Sequence, residues 1–229
     1  DTLEGGEGRD RLTGGVGADL LDGGAGTRDA ARYDREEGTG AVFVDLVNGI
    51  ATDTFGDTDT LIGIERARGN VGDDTLIGND QNNSFRGLAG NDSIVGGGGF
   101  DFSSFFQATG SVNIDLAAER AFADGLGGID TLEDIEGVGG AQLDDTLLGD
   151  ANDNEFIGSA GNDLIDGRDG RDRANYDDEF EEGGFQGIVV DLDAQTATDM
   201  FGDTDTLISI EHVDGSDLAD DIVAGSFDA

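Results

Sequence analysis

The sequence predicts an all-β protein, a solenoid of short stacked strands, and three observations carry that prediction. A nine-residue unit recurs in register, typified by Gly87-Leu88-Ala89-Gly90-Asn91-Asp92-Ser93-Ile94. A longer block returns at intervals of 71 and 75 residues, marked by Glu65, Glu136 and Glu211. The chain holds 41 glycines and no proline. Glycine supplies positive φ and close approach at turns. Proline would remove ladder donors from a sheet in which nearly every strand is central.

In the short unit, position one is Gly, position four usually Gly, position six an acid or amide, and position eight usually an aliphatic. Each unit is therefore a turn with several carbonyls and one carboxylate, followed by a short strand with one inward side chain. One unit is half a metal site, and a stack of units is a calcium-dependent solenoid. Two copies start at Gly5 and Gly14, placing Asp10 and Asp19 at position six. A quartet from Gly69, Gly78, Gly87 and Gly96 places Asp74, Asn83, Asp92 and Asp101 there. A second quartet from Gly140, Gly149, Gly158 and Gly167 places Asp145, Asn154, Asp163 and Asp172.

The long period organises the short one. Asp53-Thr54-Phe55-Gly56-Asp57-Thr58-Asp59-Thr60-Leu61 returns as Asp199-Met200-Phe201-Gly202-Asp203-Thr204-Asp205-Thr206-Leu207, and more loosely around Asp130-Thr131-Leu132. An alternating strand pattern precedes each copy, at Val42–Leu46, Val112–Leu116 and Ile188–Leu192. Two units make a coil of about 18 residues, and four coils come to about 72. The segments between quartets thus read as degenerate coils of the same solenoid. Val112, Ile114 and Leu116 are expected to continue the stack, and Leu132 to enter the same core as Ile94 and Leu164. The expected organisation is superrepeats at 1–68, 69–139 and 140–214, with a truncated fourth over 215–229. The register is entered and left mid-repeat, so a longer parent chain is expected.

Charge gives the folding logic. Fifty-two acids against 12 bases, all arginine, leave a net charge of −40. Such a chain repels itself and stays expanded until a cation offsets the charge. No cysteine is present to staple the fold, so metal takes that role. The charge disfavours nucleic acid as a partner. No signal peptide and no apolar run long enough for a transmembrane segment is seen.

Gly5-Gly6-Glu7-Gly8-Arg9-Asp10-Arg11-Leu12 and Gly14-Gly15-Val16-Gly17-Ala18-Asp19-Leu20-Leu21 resemble the repeats-in-toxin (RTX), or hemolysin-type calcium-binding, nonapeptide. The resemblance covers about half the chain strictly, and nearly all of it through the long period. It implies a right-handed parallel β-roll with several calcium ions in the turns, export through a type I channel, and folding outside the cell. It also implies that carboxylates two repeats apart share an ion. Asp74 then pairs with Asp92, Asn83 with Asp101, Asp145 with Asp163, and Asn154 with Asp172. Turn glycines Gly87, Gly90, Gly158 and Gly161 would offer carbonyls, and Asp59, Asp130 and Asp205 are candidates for extra ions. The pattern slips at Asp29, where Arg28 takes position six, and near the end, where Asp221 is expected in the ligand slot after a one-residue insertion.

Blander readings compete for several residues. A solvated Gly/Asp loop is the alternative for the position-six acids, but their phase with glycines and aliphatics favours metal. Turn-forming Asp competes at Asp53, Asp57 and Asp59 and their copies. Tyr33, Phe105, Phe106 and Tyr176 are expected to fill the core and not to form a stacking platform. His212 is expected at the surface. Arg9, Arg11, Arg168, Arg171 and Arg173 occupy outward positions, where pairing with spare carboxylates is the default. Asp150-x-Asn152-x-Asn154 begins like an EF-hand loop but lacks its Gly and Glu. Carboxylate pairs for glycoside hydrolysis exist by residue type, yet a narrow roll gives them no aromatic cleft.

The expected function is non-enzymatic: a secreted, cell-surface or extracellular calcium-binding module that folds on ligation. Two parents fit. One is a stalk or assembly module of a surface adhesin or surface layer, self-associating end to end or between neighbouring repeats. The other is an exoenzyme of protease, lipase or alginate epimerase type, with this chain as its secretion and folding tail.

Overall fold

A strand of two or three residues buries one side chain, and the computed structural model puts position eight in that place. Leu12, Leu21, Leu76, Phe85, Ile94, Ser103, Leu147, Phe156, Ile165 and Ala174 are all buried. Alternation turns their neighbours outward. Leu164, expected in the core, is therefore only half-buried, and Ile165 faces inward instead. The numbering slip is one residue, and period-two alternation makes one residue a change of face.

The structure describes residues 1–38, 40–177 and 184–225. Their strands form two compact units: Asp1–Ser104 with Leu126–Ile135, and Phe105–Gly125 with Glu136–Ala229. In the first unit, one run of strands is Thr2–Glu4, Leu20–Asp22, Thr58–Ile62, Ile50–Thr52, Phe43–Asp45, Thr75–Ile77, Ser93–Val95 and Asp130–Glu133. A second run is Arg11–Leu12, Ala30–Arg32, Arg66–Arg68, Ser84–Arg86 and Phe102–Ser104. Successive nonapeptides alternate between the runs. Leu76 thus lies against Ile94 and Phe85 against Ser103, in parallel register 18 residues on.

The second unit repeats the plan. One run is Arg120–Ala123, Asn113–Asp115, Thr146–Leu148, Leu164–Asp166, Thr204–Ile208, Thr196–Thr198, Val189–Asp191 and Asp221–Val223. The other is Gly137–Gly139, Glu155–Ile157, Arg173–Asn175 and His212–Asp214. Nearly everything described is strand or turn, with one short 3-10 turn at Leu116–Ala118. The fold is the parallel β-roll that the repeat implied.

Between the nonapeptide tracts the chain departs from simple coils. Phe43–Asp45, Ile50–Thr52 and Thr58–Ile62 form an antiparallel meander, and Val189–Asp191, Thr196–Thr198 and Thr204–Ile208 repeat it. Asn113–Asp115 likewise pairs antiparallel with Arg120–Ala123. One device turns all three. Asp45, Asp115 and Asp191 each accept from the backbone N–H three residues on. Gly49, Glu119 and Gln195 then take positive φ and reverse the chain. The segments still join the sheet as expected: Ile114 lies against Leu147 and Leu132 against Ile94, all buried. Tyr33, Phe105 and Tyr176 are buried, whereas Phe106 is half-buried and His212 exposed.

Candidate metal centre

Position six ends a turn and precedes a strand, so its side chain sits where one coil passes the next. There the backbone N–H donates to the carboxylate one coil ahead. Asp74 N–H reaches Asp92 Oδ1 at 2.8 Å, Asn83 reaches Asp101 at 2.6 Å, Asp145 reaches Asp163 at 2.8 Å, and Asn154 reaches Asp172 at 2.8 Å. The series continues beyond the quartets, with Asp92 to Asp130 at 2.9 Å, Asp163 to Asp205 at 3.0 Å and Asp19 to Asp59 at 2.9 Å. On the alternate edge, Asp10 donates to Asp29 at 2.8 Å, Asp29 to Glu65 Oε2 at 3.1 Å, and Asp172 to Glu211 Oε2 at 2.9 Å. The carboxylates thus form two ladders in each unit. All the position-six and extra-ion candidates are buried except Asp10, which is half-buried.

Each ladder uses Oδ1 and leaves other oxygen capacity. The Oδ2 atoms of Asp19, Asp29, Asp53, Asp163, Asp172 and Asp199 are buried with no hydrogen-bond partner. A buried anionic oxygen without a donor is costly. The position-one glycines complete the arrangement. A Cβ added at Gly5 would stand 2.6 Å from Gly23 O and 2.8 Å from Asp10 Oδ2, and one at Gly149 2.5 Å from both Asn154 Oδ1 and Gly167 O. At Gly87 and Gly158 it would collide with Oδ2 of Asp92 and Asp163. Gly90 and Gly161 hold φ of 126° and 128°, which a side chain would strain. Glycine therefore keeps open a space bounded by a carboxylate oxygen and a carbonyl oxygen. Among the described residues no group of three Asp, Glu or His side chains converges on a metal position. The donor set is instead one or two carboxylates with backbone carbonyls, hard oxygen ligands of the kind calcium takes.

Burial acts on the ionisation of these acids. It pushes Asp163 up to about 9, with Asp205, Asp145 and Asp199 adding repulsion. Asp205 rises to about 7, and Asp59, Asp74, Asp145 and Asp172 to about 6, desolvation leading in every case. Bare carboxylates crowd here without countercharge, and a proton or a cation relieves them.

Several members escaped the sequence reading. Asp29, one residue late, takes the ladder place and not Arg28, because the turn absorbs the extra residue. Asp220 holds the slot near the chain's end, accepting from Ile188 N–H at 2.9 Å, while Asp221 is exposed in its strand. Glu65 and Glu211 marked the long period but also cap the alternate ladder. Their occurrence immediately before a strand was the available signal. Asp53 and Asp199 each fold their own loop, Oδ1 accepting from Phe55 and Asp57 N–H, or from Phe201, Gly202 and Asp203 N–H. The Asn residues are engaged at both ends. Asn83 accepts from Asn79 N–H at 2.7 Å and donates to Glu65 O at 3.3 Å, and Asn154 does the same with Asp150 and Glu136.

Stacked parallel coils with buried carboxylate ladders beside close-packed glycine turns define a β-roll whose edges are rich in hard oxygen donors. A family model for the RTX calcium-binding nonapeptide repeat matches in four copies, over residues 1–28, 68–102 and 139–174. Those segments are RTX calcium-binding repeats, and such repeats imply a calcium-binding β-roll of a secreted protein. The repeat is a structural calcium-binding module, and proteins that carry it are typically exported by type I systems. No curated protein matches the chain. No described helix is long and apolar enough to cross a membrane.

Proposed function

We propose that this chain is a calcium-folded stalk or assembly segment of a surface adhesin or surface layer, without catalytic residues of its own. Asp10, Asp19, Asp74, Asn83, Asp92, Asp101, Asp145, Asn154, Asp163 and Asp172 serve as edge ligands. Carbonyls of turn glycines such as Gly87, Gly90, Gly158 and Gly161 complete them, and Asp59, Asp130 and Asp205 extend the ladders. Calcium supplies positive charge and oxygen bridging between coils. The carboxylates bring the coils into register once that charge is present.

The observation that carries the stalk reading is recurrence at atomic detail over the long period. Tyr33, Phe105 and Tyr176 donate their N–H groups to Arg68, Gly139 and Asp214 O at 3.0, 2.8 and 3.0 Å, three equivalent positions in superrepeats 1–68, 69–139 and 140–214. Such modular units add by nearest-neighbour contact. Single-molecule extension tests the reading. In calcium the chain should resist pulling and lengthen in discrete steps, and chelation should abolish them. Free extension in calcium would count against a stalk. Yield rescue of an enzyme domain fused upstream, with no mechanical resistance, would support the folding-tail role instead.

A further inference from the structure

Two loops outside the nonapeptide tracts carry the same buried acid in the same place. Asp53 and Asp199 open the turns 53–57 and 199–203, and both lie outside the residues that match the RTX repeat. Each commits one oxygen to its own turn. Asp53 Oδ1 accepts from Phe55 N–H at 2.9 Å and Asp57 N–H at 2.8 Å, and Asp199 Oδ1 from Phe201 and Asp203 N–H at 2.9 and 2.7 Å. The other oxygen has no such use. Oδ2 of both residues is buried with no hydrogen-bond partner among the described residues, in side chains of residues 1% and 0% exposed. An Asp turn needs one oxygen, so the turn leaves the burial of the second unexplained. A buried anionic oxygen without a donor is costly.

Both loops are fixed against the end of a nonapeptide turn. In the second unit Gly161 N–H donates to Asp203 Oδ2 at 3.2 Å, and Asp163 N–H to Asp205 Oδ1 at 3.0 Å. In the first, Gly17 N–H donates to Asp57 Oδ2 at 3.1 Å, and Asp19 N–H to Asp59 Oδ1 at 2.9 Å. These bonds bring Asp163 and Asp19 up to the loops, and each of them also buries an Oδ2 with no partner among the described residues. Asp199 stands close enough to repel both Asp163 and Asp205, and Asp53 repels Asp59. The oxygens of Asp59 and Asp205 are already engaged, by an N–H and a tyrosine hydroxyl. Loop and turn are left with one spare anionic oxygen apiece.

We propose that each loop holds a calcium ion of its own, between Asp199 and Asp163 in the second unit and between Asp53 and Asp19 in the first. Two carboxylates with backbone carbonyls and water make the hard oxygen set that calcium takes. The ion pins each antiparallel meander to the parallel coil beside it, a junction that the regular repeat, in which one coil follows another, does not contain. The proposal rests on the calcium reading of the ladders and adds two sites to it.

Terbium, a luminescent ion that accepts calcium's oxygen ligands, reads these sites selectively. The chain has two tyrosines and no tryptophan, and the hydroxyls of Tyr33 and Tyr176 sit on Asp59 and Asp205, beside the two sites. The full chain folded in calcium is titrated with terbium, and bound calcium is counted by equilibrium dialysis. Wild type should show tyrosine-sensitised emission that excess calcium quenches. Asp53→Asn and Asp199→Asn keep an oxygen for the turn and remove the charge. Each should lose about half the emission and one bound ion, and the double variant nearly all the emission, since affinity follows ligand charge. Asp144→Asn, at an exposed position, should match wild type. All should keep the calcium-induced circular dichroism. A variant that loses it is replaced by Tyr33→Phe or Tyr176→Phe of the same unit, which keeps both carboxylates and should lower emission with the ion count unchanged; unchanged emission there would overturn the proposal. So would wild-type emission and ion count in the Asp variants, or a calcium-folded wild type without sensitised emission. A chain whose circular dichroism ignores calcium would instead overturn the calcium reading itself, and these sites with it.

Discussion

The hydroxyl of Tyr33 donates to Asp59 Oδ2 at 3.2 Å, inside the core of the first unit. In the second unit Tyr176 donates to Asp205 Oδ2 at 3.0 Å. Both oxygens of Asp59 are thereby engaged, because Oδ1 accepts from Asp19 N–H. Most ladder carboxylates have a glycine-cleared space beside Oδ2; this one has a phenol. Burial and the neighbouring carboxylate also hold the Tyr33 phenol well above its ordinary range, so it remains a donor. Tyr33→Phe should cost about 1–3 kcal/mol, the usual consequence of leaving a buried acceptor short of a donor. Urea unfolding in calcium measures it, and an unchanged midpoint would contradict the assigned bond.

Charge at the ladder should matter separately from its hydrogen bonds. Asp163→Asn keeps an oxygen to accept from Asp145 N–H but removes the charge. The calcium midpoint for folding should rise several-fold, and Asp163→Ala or Asp92→Ala should raise it further as loss spreads to neighbouring coils. Asp73 is exposed and accepts from Asn91 alone, from its N–H at 2.7 Å and its Nδ2–H at 3.2 Å. Asp73→Ala should shift the midpoint by less than about twofold, in line with ordinary surface substitutions. Matching effects at Asp73 and Asp92 would refute position six as the ligand position.

Glycine should be required for space at position one. A Cβ at Gly158 would meet Asp163 Oδ2, and Gly158 is not at positive φ. Gly158→Ala should therefore raise the calcium requirement sharply through occlusion alone. At Gly98 the nearest atoms lie 3.5 Å away with no unusual φ, so Gly98→Ala should be close to neutral. Equal calcium midpoints for the two variants would argue against the cleared space as the cation position.

Acidity should substitute in part for metal. Folded-state values near 6 for Asp74 and Asp145, and about 9 for Asp163, lie above the unfolded value near 4. The folded metal-free chain then binds more protons than the unfolded one, so its stability falls as pH rises from about 4 towards 9. Without calcium, strand content should be greater at pH 4.5 than at pH 8. Calcium added at pH 4.5, where the partly folded metal-free chain holds these protons, should displace them, seen as buffer-dependent heats in titration calorimetry. Rising metal-free stability between pH 5 and 8 would reverse the sign and contradict the burial argument.

Much of this architecture was legible because the repeat encodes it locally. Position eight of each nonapeptide is buried because glycine turns fix the phase of every short strand, as at Leu76, Ile94 and Leu147. What the sequence concealed lies where phase slips or where a turn reverses the chain. Asp29 and Asp220 reach the ladder through irregular turns whose length a fixed period misjudges. The meanders at Phe43–Ile62 and Val189–Ile208 depend on Asp45 and Asp191 capping four-residue turns, a signal shared with any Asx turn. Asp53 and Asp199 read as metal ligands ahead of turn formers, yet their Oδ1 atoms hold their own turns. Their buried Oδ2 atoms emerge only when distant strands are assembled.

The central claim is that a chain of net charge −40 with buried carboxylate ladders folds only when a cation offsets them. Calcium titration of the chelated chain at pH 7.4, followed together by far-ultraviolet circular dichroism and small-angle scattering, tests it most directly. The account predicts an expanded, strand-poor chain in chelator that becomes compact and strand-rich in one cooperative step at submillimolar to millimolar calcium. Magnesium should substitute poorly, since its rigid octahedron suits mixed carbonyl and carboxylate turns badly. A chelated chain already as compact and strand-rich as the calcium-loaded one would contradict it.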